Sequence, residues 1–187
     1  MAQPRRPIPP LDAAALDRLA LRYVERFATT QGKLADYLRR KIRERGWDGA
    51  PADPDAVAGR MAALGYVDDR AYAEAKAASL TRRGLGAGRV AAALRQARVG
   101  QQDADAVRPA VEDGALDSAL AFARRKRIGP FATAAADRPQ REKHIGAMIR
   151  AGHPFGLART IASAAPGEMP HFDEGMTSSC CDGAEPC

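Results

Sequence analysis

The sequence predicts an all-α fold, built as three tandem three-helix repeats forming an elongated curved array. Apolar residues recur at helical rather than strand spacing along almost the whole chain, and no run of alternating β-branched residues interrupts them. A pair of apolar positions returns every fifty residues, as Val57 and Met61, then Val107 and Val111, then Leu157 and Ile161. Glycines and capping residues fall between the helical stretches at matching places.

The elements follow in order. After Pro9 and Pro10, with Asp12 as N-cap, Leu16, Leu19, Ala20, Tyr23, Val24 and Phe27 form one stripe. After Gly32, Leu34, Tyr37, Leu38, Lys41 and Ile42 share a face, and Arg39, Arg40, Arg43 and Arg45 point elsewhere. A third helix starts at the Asp53-Pro54 cap and carries Val57, Met61 and Leu64. The second unit opens with a helix from Asp68 to Arg83 whose inward residues are Tyr72, Ala75 and Ala78. The third opens with Leu116, Ala119, Leu120 and Ala123 inward. The middle helices align as "KLADYLRRK", "RVAAALRQA" and "KHIGAMIRA", placing Leu38, Leu94 and Met148 together, each followed by a glycine: Gly46, Gly100 and Gly152. The repeats are therefore set at residues 11–65, 66–113 and 114–165. They are flanked by a flexible N-terminal segment, 1–10, and a disordered acidic tail, 166–187. A unit of this size buries little core alone, so neighbours are expected to stack.

Charge narrows the function. Five of the 23 acidic residues (Glu168, Asp173, Glu174, Asp182 and Glu185) follow position 165, where no basic residue occurs; the preceding chain sets 29 Lys and Arg against 18 acidic residues, a net +11. Most of that excess is Arg, which pairs with phosphates and carboxylates, so the expected partner is a polyanion or an acidic protein surface. Cys180, Cys181 and Cys187 all lie in the tail, and none in the body can form a disulfide framework, which fits a reducing cytoplasm. No apolar run reaches the length of a membrane span, and no export signal precedes the first helix. We expect a cytoplasmic monomer with no membrane partner.

The stretch "TRRGLGAGRVAAALRQ", residues 81–96, imitates a phosphate-cradling loop. The imitation fails in detail, because Gly84 and Gly86 are followed by Arg89 where a dinucleotide fingerprint needs a third glycine, and an amphipathic helix precedes instead of a strand. No Gly-Lys-Ser/Thr occurs anywhere. The glycines are read as helix punctuation: Gly84 ends one helix, and Gly86 to Gly88 turn into the next.

Catalysis finds no constellation. His144, His153 and His171 are scattered, the cysteines lack the paired spacing of structural zinc sites, and Asp68 and Asp69 are explained by a helix N-terminus. No cofactor, metal or catalytic residue is expected. Trp47 is open between base stacking and closure of the first core, while Tyr23, Tyr37, Tyr66 and Tyr72 are read as packing.

The run "LGYVDDRAYAEAKAASLTRRGLGAGRVAAALRQARVG", from Leu64 to Gly100, resembles the centre of RecX-family proteins, bacterial regulators of the RecA recombinase. The resemblance rests on Tyr66, Val67, Asp68, Asp69, Tyr72, Ala73, Gly84, Gly86, Val90, Leu94 and Arg95, and spans roughly residues 15–165. Lys76 and Ala77 depart from it, since larger apolar residues are usual there, and the cysteine-bearing tail is not a family feature. The resemblance implies a non-enzymatic modulator that binds the RecA nucleoprotein filament, usually suppressing its ATPase, strand-exchange and coprotease activities in DNA repair and the SOS response. The alternative is a sequence-independent helical module acting directly on single- or double-stranded DNA. Under either reading the candidate contacts are Arg39, Arg40 and Arg43, then Arg82, Arg83, Arg95 and Arg98, then Arg124, Arg125, Lys126 and Arg127, all off the apolar stripes. Helix geometry pairs Arg95 with Arg98 and Arg39 with Arg43 on neighbouring turns.

Overall fold

Caps and glycines divide the chain as their chemistry demands, and every regular element of the described residues is helical. The computed structural model describes residues 9–172. They hold α1 (Ala13–Val24), α2 (Gln31–Arg45), α3 (Pro54–Ala63), α4 (Asp69–Arg82), α5 (Ala87–Gln96), α6 (Gln101–Asp113), α7 (Ala115–Lys126), α8 (Arg138–Arg150) and α9 (Phe155–Ser163), with a 3-10 turn at Gly129–Phe131. The three cysteines and most of the expected acidic tail lie outside the described residues, as do residues 1–8 of the expected N-terminal segment.

Helix starts are set by side-chain caps. Asp12 accepts from Ala15 N–H at 2.7 Å, Asp53 from Ala56 at 2.9 Å, Asp68 from Ala71 at 2.8 Å and Asp137 from Gln140 at 2.8 Å. Each satisfies a backbone donor that has no partner within its helix. Gly46 and Gly84 end α2 and α4 with φ of +81° and +73°, conformations that cost glycine little.

The chain falls into two compact units. The first comprises Met1–Ala73 and Arg95–Asp103. In it α1, α2 and α3 pack pairwise around Leu11, Leu16, Leu34, Leu38, Val57, Met61 and Val67. Tyr23 and Tyr37 stack at 4.2 Å against this core. Trp47 closes it, its indole N–H donating to Ala50 O at 2.6 Å while Leu11 and Gly46 pair backbone to backbone beside it. Of the two roles open to Trp47, core closure is the one its packing fills.

The second unit comprises Glu74–Leu94 and Ala104–Cys187. Here α7, α8 and α9 surround Ala119, Phe122, Ile128, Met148, Leu157 and Ile161. The recurring positions Leu38, Leu94 and Met148 are each at most 2 % exposed, and all six residues of the fifty-residue pairs are buried.

Several inward assignments are corrected. In α4 the buried apolar residues are Ala73, Ala77 and Leu80, whereas Ala75 and Ala78 face solvent. Alanines at 71, 73, 75, 77 and 78 leave almost no apolar contrast around that helix, so its face is chosen by what it meets. Leu64, Tyr66 and Phe27 are also exposed. All three lie beyond the ends of α3 or α1, where helical spacing no longer dictates direction, and Tyr66 follows Gly65 at φ +79°.

Candidate partner-binding surface

In the first unit, ion pairing sorts the candidate cations. Arg39 donates from Nη1 to Asp36 at 3.0 Å and from Nη2 to Asp55 on α3. The Asp55 bond, ahead of smaller help from Asp36, raises the guanidinium pKa above its ordinary value. Arg98 forms an ion pair with the same carboxylate, its Nε 2.7 Å from the other oxygen of Asp36. Each of the two therefore has a carboxylate partner within the fold. Arg98 also lies past the end of α5 in the left-handed region, φ +54°, so it does not share a helix face with Arg95 as helical spacing predicts. Arg40 lies 3.6 Å from Glu44 and against the Tyr37 ring, while Arg43 and Arg95 are exposed and form no ion pair with another described residue.

The same corner contains residues that sequence reasoning passed over. Thr30 is fully buried; its hydroxyl accepts from Lys33 N–H at 3.2 Å, capping α2, and donates to Ala97 O. Asp69 accepts from Gln31 N–H at 2.8 Å, and its burial is the main force raising its pKa. Asp68 is thus the local cap and Asp69 a tertiary contact, a distinction that the Asp-Asp pair does not carry in sequence.

The second unit brings the remaining candidates together. Gly84 at the end of α4 lies so close to α7 that a Cβ there would sit 2.7 Å from Phe122 N. That contact places Arg82 and Arg83 beside the basic end of α7, where the Arg125 guanidinium donates to Arg83 O and lies over the Phe122 ring. Arg124 lies 5.0 Å from the Phe131 ring centre. Lys126 and Arg127 line an open cleft of about 520 Å³ with residues 132–136, Asp137, Gln140 and His144. All six cations are exposed, and none forms an ion pair with another described residue. They stand at two helix C-termini, where the backbone dipole favours positive charge and offsets part of their mutual repulsion.

The glycine stretch builds this arrangement. Gly86 N–H donates to Ala151 O at 2.9 Å and Gly88 N–H to Gly152 O at 3.1 Å, so the α4–α5 turn is bonded to the α8–α9 turn. His153 seals the joint: it is buried, lies edge-on to Phe122, and its Nε2 is 3.2 Å from Gly84 O. Burial, against a smaller opposing effect of that bond, pulls its pKa below the ordinary histidine value. The Gly86 and Gly88 amides, engaged in the bonds to Ala151 and Gly152, are not available to cradle a phosphate.

No family model matches the chain. It is 33% identical over 165 residues to Regulatory protein RecX of Myxococcus xanthus, covering 81% of this chain and 86% of that protein. The chain belongs to the RecX family. A second relative, Regulatory protein RecX of Agrobacterium fabrum, is 29% identical over 146 residues, 76% of this chain and 78% of its own. Among solved structures, RecX from Lactobacillus salivarius superposes with a TM-score of 0.62 at 16% identity, covering 79% of this chain and 92% of its own. A crystal structure of a regulatory protein RecX superposes with a TM-score of 0.55 at 21% identity, covering 79% of this chain and 72% of its own. These two likenesses bear on the fold alone, which they share.

In this RecX-family chain the motif from Tyr66 to Arg95 is mainly fold chemistry: Val67, Ala73, Val90 and Leu94 are buried, Asp68 caps, and the glycines permit close approach. Tyr66, Asp68 and Arg95 are its exposed members. Among the described residues no cluster of three or more His, Cys, Asp or Glu could hold a metal ion, and no helix is long and apolar enough to cross a membrane.

Proposed function

We propose that this protein acts without catalysis of its own, docking as a monomer on the RecA nucleoprotein filament and lowering its ATPase, strand-exchange and coprotease activities. The observation that carries the reading is the set of six uncompensated cations at the ends of α4 and α7, on a chain of a regulatory family. A filament of protein on DNA offers both acidic side chains and phosphates to such a set. Arg43, Arg95 and, more weakly, Arg40 extend the candidate contacts, whereas Arg39 and Arg98 serve the fold. We also take residues 11–65, 66–113 and 114–165 as three repeats, a division supported by the shared burial of Leu38, Leu94 and Met148.

The test is a titration of the DNA-dependent ATPase of RecA. The expected result is slowing at protein levels well below those that coat the DNA. Absence of slowing, together with tight, salt-sensitive binding to naked DNA, would instead support direct action on the nucleic acid.

A further inference from the structure

We infer that the turn closing α1 is a stacking platform for the bases of single-stranded nucleic acid, with Phe27 as the ring that meets them. Three aromatic rings stand in series in the first unit. Tyr37 on α2 stacks on Tyr23 of α1 with ring centres 4.2 Å and planes 25° apart, and Tyr23 in turn lies 5.2 Å from Phe27. The inner end of the series is closed: the Arg40 guanidinium lies 5.5 Å from the Tyr37 ring centre and the Lys41 ammonium 5.8 Å. The outer end is open. Phe27, which helical spacing places inward, is 55% exposed.

A single exposed phenylalanine is ordinary on a protein surface. This one differs in two respects. It is held rather than loose: Phe27 N–H and Arg26 N–H both donate to Tyr23 O, at 3.0 and 3.2 Å, so the turn continues past Val24 and fixes the backbone that carries the ring. A contact surface ordered in advance loses little entropy when it is covered. The ring also stands beside Arg22 and Arg26, both exposed and without an ion pair to another described residue. Spaced i, i+4, these two share one side of the turn, as Tyr23 and Phe27 share the next. Glu25 is the single carboxylate in residues 22–28, so positive charge prevails there.

An open aromatic face with cations alongside suits an unpaired strand, because every base has a π-face for stacking whatever the sequence, and its phosphates meet the guanidiniums. A duplex keeps its bases stacked on one another and offers this ring no free face. The apolar surface open at the turn is one ring, the size of one base and far below what a protein interface of standard size buries. None of Arg22, Arg26 and Phe27 belongs to the cations that carry the filament reading. The inference therefore stands or falls independently of that reading.

The test titrates the full chain and its Phe27→Leu variant at low salt with three probes of one length: a dT oligonucleotide, the same strand made abasic throughout, and a duplex. Leucine keeps an apolar side chain at this exposed position and removes the flat ring. The variant should bind dT at least about fivefold more weakly, the low end of what one stacked base contributes, and bind the abasic strand and the duplex within about twofold of the parent. Phe27→Trp, which widens the ring, should match or exceed the parent on dT. Changing Arg22 and Arg26 together to Ala should weaken all three probes alike, since all three carry phosphates. Equal dT affinity of parent and Phe27→Leu overturns the inference, as does a parent that does not bind dT. A loss equal on all three probes overturns it too, because stacking cannot act on an abasic strand. So does a Phe27→Trp protein that binds dT as weakly as Phe27→Leu. Weaker slowing of the RecA ATPase by Phe27→Leu, with dT affinity unchanged, would overturn it by assigning the ring to a protein partner.

Discussion

Gly86 and Gly152 meet backbone to backbone: a Cβ on Gly86 would lie 2.4 Å from the Gly152 carbonyl oxygen, and one on Gly152, at φ +93°, would lie 2.4 Å from Arg89 N. Neither neighbour is a side-chain tip that can swing away. Gly86→Ala must part the two turns and stretch the bonds to Ala151 and Gly152, so it should destabilise the protein by at least about 2 kcal/mol. Gly59→Ala is the control, because it sits inside α3 with open space around the added methyl and should stabilise by about 0.5–1 kcal/mol. Urea midpoints of the two variants measure this; a Gly86→Ala midpoint equal to the parent's removes the joint from the account.

Thr30 offers a second test in the first unit. Its hydroxyl both caps α2 and satisfies the Ala97 carbonyl while wholly buried. Thr30→Ala should cost about 2–3 kcal/mol, a lost cap together with an unsatisfied acceptor. Thr30→Ser keeps the oxygen and should restore most of the loss. Equal denaturation curves for Ala and Ser variants would show that the hydroxyl contributes nothing.

How much of this was legible in sequence depended on the kind of signal. The cores were readable because Leu38, Leu94, Met148 and the fifty-residue pairs recur at helical spacing, and the caps because Asp12 and Asp53-Pro54 act on their own helices. The face of α4 was not, since its alanines give no contrast and Ala73, Ala77 and Leu80 are chosen by their neighbours. Arg39 and Arg98 looked as free as Arg43 because their partners, Asp36 and Asp55, include residues brought near only by folding. His153 carried no local signal at all; its role arises where two distant turns are bonded.

That histidine gives stability a defined pH dependence. Its folded pKa lies below the ordinary 6.5, so the unfolded chain takes up the proton first. The stabilisation is present in full above about pH 6.5 and is lost as pH falls below it, with a slope of up to about 1.4 kcal/mol per pH unit until the folded form is also protonated. The buried Nδ1 has no hydrogen-bond partner, which leaves an imidazolium proton there unsatisfied. His153→Gln removes this titration, so its urea midpoint should fall less than the parent's between pH 7 and pH 5.5, a window that brackets the ordinary 6.5. Parallel declines for the two proteins would place the acid sensitivity elsewhere.

The division of the arginines makes the last prediction. Arg39→Ala and Arg98→Ala remove guanidiniums already paired with Asp36 and Asp55, so each should leave affinity for a polyanion within about twofold, with a stability change below about 1 kcal/mol. Arg124→Ala, Lys126→Ala and Arg127→Ala together remove three uncompensated charges from one surface. If each neutralises one phosphate, the slope of log affinity against log salt on single-stranded DNA should become shallower by about 2, from about 0.7 per contact. At low salt the triple variant should bind about tenfold or more weakly, and its ATPase titration against RecA should shift by a similar factor if the same surface docks on the filament. A shift in DNA affinity without one in the ATPase titration would assign the patch to nucleic acid and leave the filament contact to Arg40, Arg43 and Arg95. The reverse pattern would assign it to an acidic protein surface, since carboxylates on a partner restore the salt dependence without requiring DNA.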